Sequence, residues 1–391
     1  YGCAVRLKSS QRGRSSDGRV GFNIQFPADN KFLGCHETIA CDRSGQREIM
    51  VKHMAAQVGG VPGMFDDLAW VIQPRANRAT SAILMKSRFD EEWLDNQYED
   101  GSDGDMFEFE LIYHPNGTTG GPEGLKLPQP DSVVGVQMRN QGGDDKELYR
   151  WHWLKKNNKD ADEYAGMIRV LDTMGLTGAA YNAAVDEVID FDQWLRTFAY
   201  LNLTGIGDNY GTHPSGAWHN AIFYIRPTDG KAMFFPWDMD FTFSNSATSG
   251  VTPSTDLNKM IAAGPAYERT YYGHLLDMIE TTFNTGYMNR WLSHYSEFLP
   301  SENLTGSSSY ISTRGNHVRG LINNAVANVA FGVTSASGGS TSAPTTTVRG
   351  DGWVDVRQLQ LAGTGAPLAV TWVDDNSWEV TLPVAPGANT Y

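Results

Sequence analysis

Cysteine is nearly missing from this 391-residue chain: Cys3, Cys35 and Cys41 lie near its start, and none follows. A disulfide scaffold is thereby excluded for most of the length, and no Cys/His spacing suggests zinc. Cys35 and Cys41 flank a short segment that a disulfide could close; a free, partly buried set of thiols is the expectation. Long apolar runs are missing too, since none approaches the roughly 18 residues of a membrane helix. Positive charge is scarce. With 31 Lys and Arg against 45 Asp and Glu, the formal net charge is -14, which argues against a nucleic-acid binder or a chain held on anionic lipid by charge. No repeat recurs at a fixed period. The chain opens on Tyr1 rather than Met and reads as a fragment or processed product, so the lack of a visible signal peptide is uninformative.

What is present suffices for a large core: 40% of the residues are hydrophobic and 11% aromatic, enough for a globular protein of two or three domains. Up to about Ser44 the pattern is β-like, with AVRL and GFNIQF flanking a polar turn from Arg12 to Ser16. Residues 47–58 predict a helix with Ile49, Met50, His53, Met54 and Val58 on one side, ended by Gly59-Gly60. LAWVI and AILMKSRF follow as strands. A Gly, Asp and Pro rich region from about 90 to 145 holds one β-like stretch, MFEFELIYH. From about Lys146 the chain turns helical, in ELYRWHWLKK, DADEYAGMIRVLDTM and FDQWLRTFAYLNL, the last capped by Asp190 or Asp192. AIFYIRP and KAMFFPWDMDF are joined by Thr228-Asp229-Gly230, a hairpin signal. Helices return in HLLDMIETTFN, YMNRWLSHYSEFL and STRGNHVRGLINNAVANVA. Residues 333–350 are a Ser/Thr/Gly-rich linker or exposed excursion. Residues 351–391, alternating around Trp353, Trp372 and Trp378, predict part of a β-sandwich that would continue past Tyr391.

The chemistry concentrates in FFPWDMDFTF, residues 234–243. Asp238 and Asp240 end a strongly apolar run, and burying either without a partner is costly. On a strand, residues i and i+2 face one way, so both carboxylates would share a face and suit a hard cation. Upstream, YLNLTGIGDNYG ends a helix in a loop bearing Asp208 and Asn209, and WHNAIFYI puts His219 and Asn220 at the entry of the first hairpin strand. A loop Asp, a strand-entry Asn and a strand-exit Asp match the catalytic floor of a kinase-like phosphotransferase.

At these residues the sequence resembles the CotH family of atypical, spore-coat-type kinases. The likeness rests on the RGRSS loop, Asp208, Asn220 before a Tyr-bearing strand, and PWDMDFTF, similar to the family's PWDxDxxF signature. It covers about residues 1–330. The resemblance implies an α+β, protein-kinase-like fold over 1–332, with a β-rich lobe to about 145 and a mainly helical lobe from 146, followed by the 351–391 β module. It implies ATP with Mg²⁺ or Mn²⁺ as cofactors, and transfer of the γ-phosphoryl group to Ser or Thr of a protein. Asp208 is implied as the catalytic-loop Asp, Asn220 and Asp238 as metal holders and Asp240 as a second acid. Arg12, Arg14, Ser15, Ser16 and Arg19 would contact phosphates. Glu48 would serve as a cation-pairing acid. Where the family carries a Glu, this chain has Lys86 and Arg88, which read as surface charges, and His219 reads as a packing or capping residue. An extracellular or cell-surface setting is expected, without nucleic-acid partners or a membrane span. Two other readings use the same letters. DMDFT fits the DxDxT motif of haloacid-dehalogenase-like phosphatases, and the whole could be a non-catalytic kinase-like surface or coat scaffold.

Overall fold

The computed structural model describes residues 2–8, 21–42, 46–72, 82–114, 118–119, 125–126, 132–213, 219–335 and 339–391. Its elements, in chain order, begin with strands β1 (Ala4–Lys8), β2 (Gly21–Gln25) and β3 (Thr38–Asp42), helix α1 (Glu48–Val58), strands β4 (Asp66–Ala69) and β5 (Ile83–Lys86), and helix α2 (Glu91–Gln97). Strand β6 (Asp105–Phe109) is followed by the short strands β7 (Ile112–Tyr113), β8 (Thr118–Thr119), β9 (Leu125–Lys126) and β10 (Val133–Val134), and then by β11 (Trp153–Lys155). Helices α3 (Ala165–Gly175), α4 (Gly178–Ala184) and α5 (Phe191–Thr204) lead to the hairpin β12 (Ala221–Ile225) and β13 (Ala232–Pro236). Helices α6 (Thr255–Ile261), α7 (Pro265–Thr281), α8 (Thr285–Ser296) and α9 (Ser307–Ala325) precede β14 (Gly332–Val333), β15 (Thr345–Asp351), β16 (Val370–Trp372) and β17 (Ser377–Pro383). The fold is mixed α+β.

The first sheet has the order β1-β2-β3-β5-β4, antiparallel throughout. Its alternation decides what faces helix α1. Ile83 joins Phe22 and Cys41 in a small cluster on one side, with Met85 packed against it, while Ala82 and Leu84 join Ile49, Met50 and Met54 of α1 in the main core. Lys86 shares the Leu84 face by the period of two, and Asp42, paired in register with Leu84, shares it from β3.

The second sheet, β11-β6-β12-β13, is also antiparallel. One face sets Phe107, Phe109, Phe223 and Phe234 against the helices. The other sets Met106, Ile222, Tyr224, Met233 and Phe235 against Trp93 and Leu94 of α2. Both faces are covered, so the hairpin strands are apolar at every position rather than alternating. Helix α5 starts at Asp190, whose carboxylate accepts from Gln193 N, and ends at Gly205 with φ 63°.

Two sequence expectations fail here. The stretch 147–156 is not a helix: a 3-10 turn at Lys146–Leu148 leads into β11, which pairs with β6. Its hydrophobic spacing suits a helix, but the open edge of β6 offers ladder hydrogen bonds that a short isolated helix cannot match. The 333–350 segment is only partly a linker, because Thr345–Asp351 is strand β15, paired along its length with β17. Cys3 and Cys35 are free thiols, the first exposed and the second half-buried, and Cys41 is buried.

The C-terminal sheet, β14-β15-β17-β16, packs a small core of Leu359, Trp378, Val380 and Leu382. It docks on α7 through Arg269, which is buried and donates to the carbonyls of Gly352 (2.9 Å), Trp353 (2.6 Å) and Asp375 while its guanidinium lies over the Trp372 ring. Arg269→Ala strips the donor from several buried carbonyls at about 1–3 kcal/mol each. The expected outcome is early proteolytic release of the 345–391 segment while the helical core still resists; unchanged cleavage kinetics would count against this anchor.

Candidate functional site

The site is assembled where α5 ends and the hairpin begins and ends. Asn209 is buried, and its Nδ2 donates both to Asn220 O (2.5 Å) and to Trp237 O (3.1 Å), so one amide clips the Asp208 loop to both ends of the β12–β13 hairpin. Asn220 Nδ2 in turn donates to Asp208 O (2.7 Å). Further backbone bonds lace the segment after Asp240 to the end of α5: Phe243 N to Thr204 O (3.1 Å) and Asn245 N to Gly205 O (3.0 Å). Asp208, Asn220 and Asp238 therefore lie on three segments held together by buried amides.

Asp238 and Asp240 do not extend a strand. Strand β13 ends at Pro236, Asp238 turns into the left-handed region (φ 50°, ψ 64°), and Met239–Phe241 forms a 3-10 turn. The same-face argument for the two carboxylates therefore fails, because period-two geometry stops two residues early. Asn220 is also left-handed, with φ 57°. Asn and Asp tolerate this region better than other residues that carry a Cβ, and strained backbone of this kind clusters at functional sites. Asp208, Asp238 and Asp240 are each half-buried.

His219 is more than a packing residue, since its Nε2 stands 3.3 Å from Asp208 Oδ1. Glu110, just beyond β6, has its carboxyl pushed up to about 7 by burial, opposed by the Leu111 amide and assisted by Glu108 and Asp238.

Across from the hairpin, the α1 face of the first sheet carries a cluster of buried charges. Lys86 is only 4% exposed, and its Nζ donates to Glu48 Oε2 (2.9 Å) and Oε1 (3.1 Å) and pairs with Asp42 Oδ2 (2.7 Å). Lys52, one turn after Glu48, stands 3.2 Å from Glu48 Oε1. Lys86 is thus no surface charge, and Arg88 is half-buried in the field of Glu108. Burial opposes the charge on Lys86, but the fields of Glu48, Asp42 and Asp238, with the Asp42 hydrogen bond, outweigh it and hold the ammonium well above its usual range. Burial likewise opposes the Glu48 carboxylate, and Lys86 and Lys52 outweigh it and hold Glu48 below its usual range. Tyr200 of α5 donates to Val51 O of α1 (2.5 Å) and touches Met239 Sδ (3.7 Å), so the helix bearing Glu48 and the turn bearing Asp238 share one buried phenol.

Asp66 borders this cluster. Its carboxyl is raised to about 6 by burial, offset in part by Lys52. The folded protein therefore holds this proton over a range in which the unfolded chain has lost it, and stability falls as pH rises from about 4 to about 6. Asp66→Asn is expected to flatten that part of the curve of urea midpoint against pH; a variant whose curve still parallels the wild type would show that Asp66 does not titrate there.

Among the described residues, no three His, Cys, Asp or Glu side chains form a group able to hold a metal by themselves. The candidate holders are instead an amide and carboxylates, Asn220, Asp238 and Asp240. With Asn220 Nδ2 donating to Asp208 O, its Oδ1 is the atom that could ligate a cation. Such a sparse oxygen set fits Mg²⁺, which keeps several waters and takes substrate phosphates as ligands. Arg12, Arg14, Ser15, Ser16 and Arg19 lie outside the described residues. The phosphatase pattern meets a different fold, since DMDFT follows the second strand of an antiparallel hairpin rather than a strand of a parallel βα unit.

Lys86, Asp42, Lys52 and Asn209 had no site role in the sequence reading. Lys86 carried a usable signal, because a lysine two residues after Leu84 in an apolar strand shares its buried face.

The sequence model of the CotH kinase protein family matches residues 89–314, more than half of the chain, and the chain belongs to this family. The match takes in Asp208, Asn220, Asp238 and Asp240 and begins after Glu48 and Lys86. No curated protein matches the chain. No helix among the described residues is long and apolar enough to cross a membrane.

Proposed function

We propose that this protein is a two-lobed, kinase-like phosphotransferase that moves the γ-phosphoryl group of ATP to a Ser or Thr hydroxyl of a secreted or surface protein. The reading is carried by the Asn209 clip, which holds the Asp208 loop against both hairpin ends. Family membership supports the reaction class. Asn220 through Oδ1, with Asp238 and Asp240 through their carboxylates, would hold Mg²⁺ or Mn²⁺. A cation held there would supply positive charge that offsets that of the phosphates. Asp208 would orient the acceptor hydroxyl and accept its proton, with His219 fixing the carboxylate through Oδ1. Lys86, held by Glu48, would meet the nucleotide phosphates, joined by the loop residues Arg12, Arg14, Ser15, Ser16 and Arg19.

The test is incubation with γ-labelled or α-labelled ATP, Mg²⁺ or Mn²⁺, and a Ser-rich acceptor. Label arriving from the γ position alone is the expected result. Label from the α position would replace this reading with adenylyl transfer. A melting temperature that no nucleotide shifts would leave a non-catalytic scaffold.

A further inference from the structure

Lys86 has three N–H donors, and three carboxylate oxygens already surround its Nζ: Glu48 Oε2 at 2.9 Å, Glu48 Oε1 at 3.1 Å and Asp42 Oδ2 at 2.7 Å. Two carboxylates thus already occupy this ammonium, and a phosphate oxygen approaching it competes with them. The two acids are not equally replaceable. The Glu48 side chain is 1% exposed, whereas the Asp42 side chain is 13% exposed and stands at the last position of β3. Asp42 Oδ1 also lies 3.2 Å from where a Cβ on Gly21, the first residue of β2, would sit.

We propose that Asp42 is an internal competitor for Lys86: its carboxylate takes the anion place on the ammonium when no nucleotide is present and must yield it to a phosphate oxygen for productive binding. This rests on the phosphotransferase reading in assigning the incoming anion to a nucleotide, while the competition itself is argued from the 2.7 Å contact of Asp42 Oδ2 with Lys86 Nζ. The physical consequence is a tax on affinity, since ligand binds only the fraction of molecules whose Asp42–Lys86 pair is open. Glu48 keeps Lys86 charged and placed in both states, so opening the pair does not strand a buried cation.

The experiment compares wild type with Asp42→Asn, a near-isosteric change that removes the charge and leaves Lys86 with Glu48. Binding of Mg²⁺·ATP, adenosine and inorganic tripolyphosphate is measured by calorimetry, after matched melting curves confirm folding. If the open form is about 10% populated, Asp42→Asn tightens the phosphate-bearing ligands about tenfold. Adenosine, which presents no phosphate to Lys86, binds both proteins alike. Adding Lys86→Met to Asp42→Asn should erase the gain. Weaker or unchanged Mg²⁺·ATP binding by Asp42→Asn, with wild type binding the nucleotide, overturns the competitor role and leaves the kinase reading standing. Tripolyphosphate tightened while neither protein takes ATP supports the competition and removes the nucleotide. No binding of either anion by either protein ends both.

Discussion

Asp238→Asn is expected to lower γ-phosphoryl transfer by about 10²–10³-fold and to raise the Mg²⁺ or Mn²⁺ concentration needed for half-maximal rate. Asparagine is the cleaner replacement, because residue 238 has φ 50° and Asn accepts the left-handed region where Ala is strained. Asp208→Ala is expected to cost about 10²–10⁴-fold, the range for a positioned general base, with metal dependence unchanged, because its role is toward the acceptor hydroxyl. The measurement is initial rate against metal concentration for the two variants and wild type. The contrast is the discriminating feature. Two variants equally impaired with identical metal curves would mean that Asp238 does not hold the cation, and a fully active Asp208→Ala would remove the catalytic assignment. His219 gives an internal check: if it fixes Asp208 through the 3.3 Å contact, His219→Ala should lower kcat while leaving KM for ATP near the wild-type value.

The second large effect is on stability. Glu48→Ala is expected to destabilise the fold by about 3–5 kcal/mol, the cost of breaking a buried ion pair from one side. The carboxylate that would be lost faces two buried ammonium groups, Lys86 and Lys52, at 2.9 and 3.2 Å. Asp42 remains beside Lys86 after the change, yet Lys52 loses the Glu48 carboxylate and is left with the field of Asp66, whose carboxyl has itself been pushed up to about 6. Lys86→Met should cost less than Glu48→Ala. It leaves Glu48 with Lys52, and a thioether chain suits the apolar face shared with Leu84. Urea midpoints with m-values resolve the order. A Glu48→Ala loss under about 1 kcal/mol would indicate charges screened by water rather than a closed cluster.

This asymmetry also bears on how the two sheets are coupled. Tyr200 ties Val51 of α1 to Met239, so a loosened α1 should disturb the turn between Asp238 and Asp240. Stability and metal affinity are therefore expected to fall together in Glu48→Ala, whereas Asp238→Asn should lower metal affinity with a smaller loss of stability, since Asp238 is one of three acids whose fields hold Lys86 charged.

Much of this was written in the chain. Thr228-Asp229-Gly230 marks the hairpin turn, and the two fully apolar strands around it are buried on both faces. Asp190 caps α5, Gly205 ends it in the left-handed region, and the order Asp208, Asn220, Asp238 follows from where that helix and hairpin start and stop. These are local properties, settled by turn chemistry, capping and hydrophobic period within a few residues. Tertiary structure decided the rest. Residues 147–156 carry a helix-like period and became a strand because β6 offered an edge. Asp238 leaves the strand geometry next to the Trp237 carbonyl, which Asn209, 28 positions before Trp237, holds. Lys86 looked like a solvated charge until Glu48, 38 residues away, met it across the face of a sheet. A residue's period tells which face it occupies, but only packing brings in the opposite charge that makes burying it affordable.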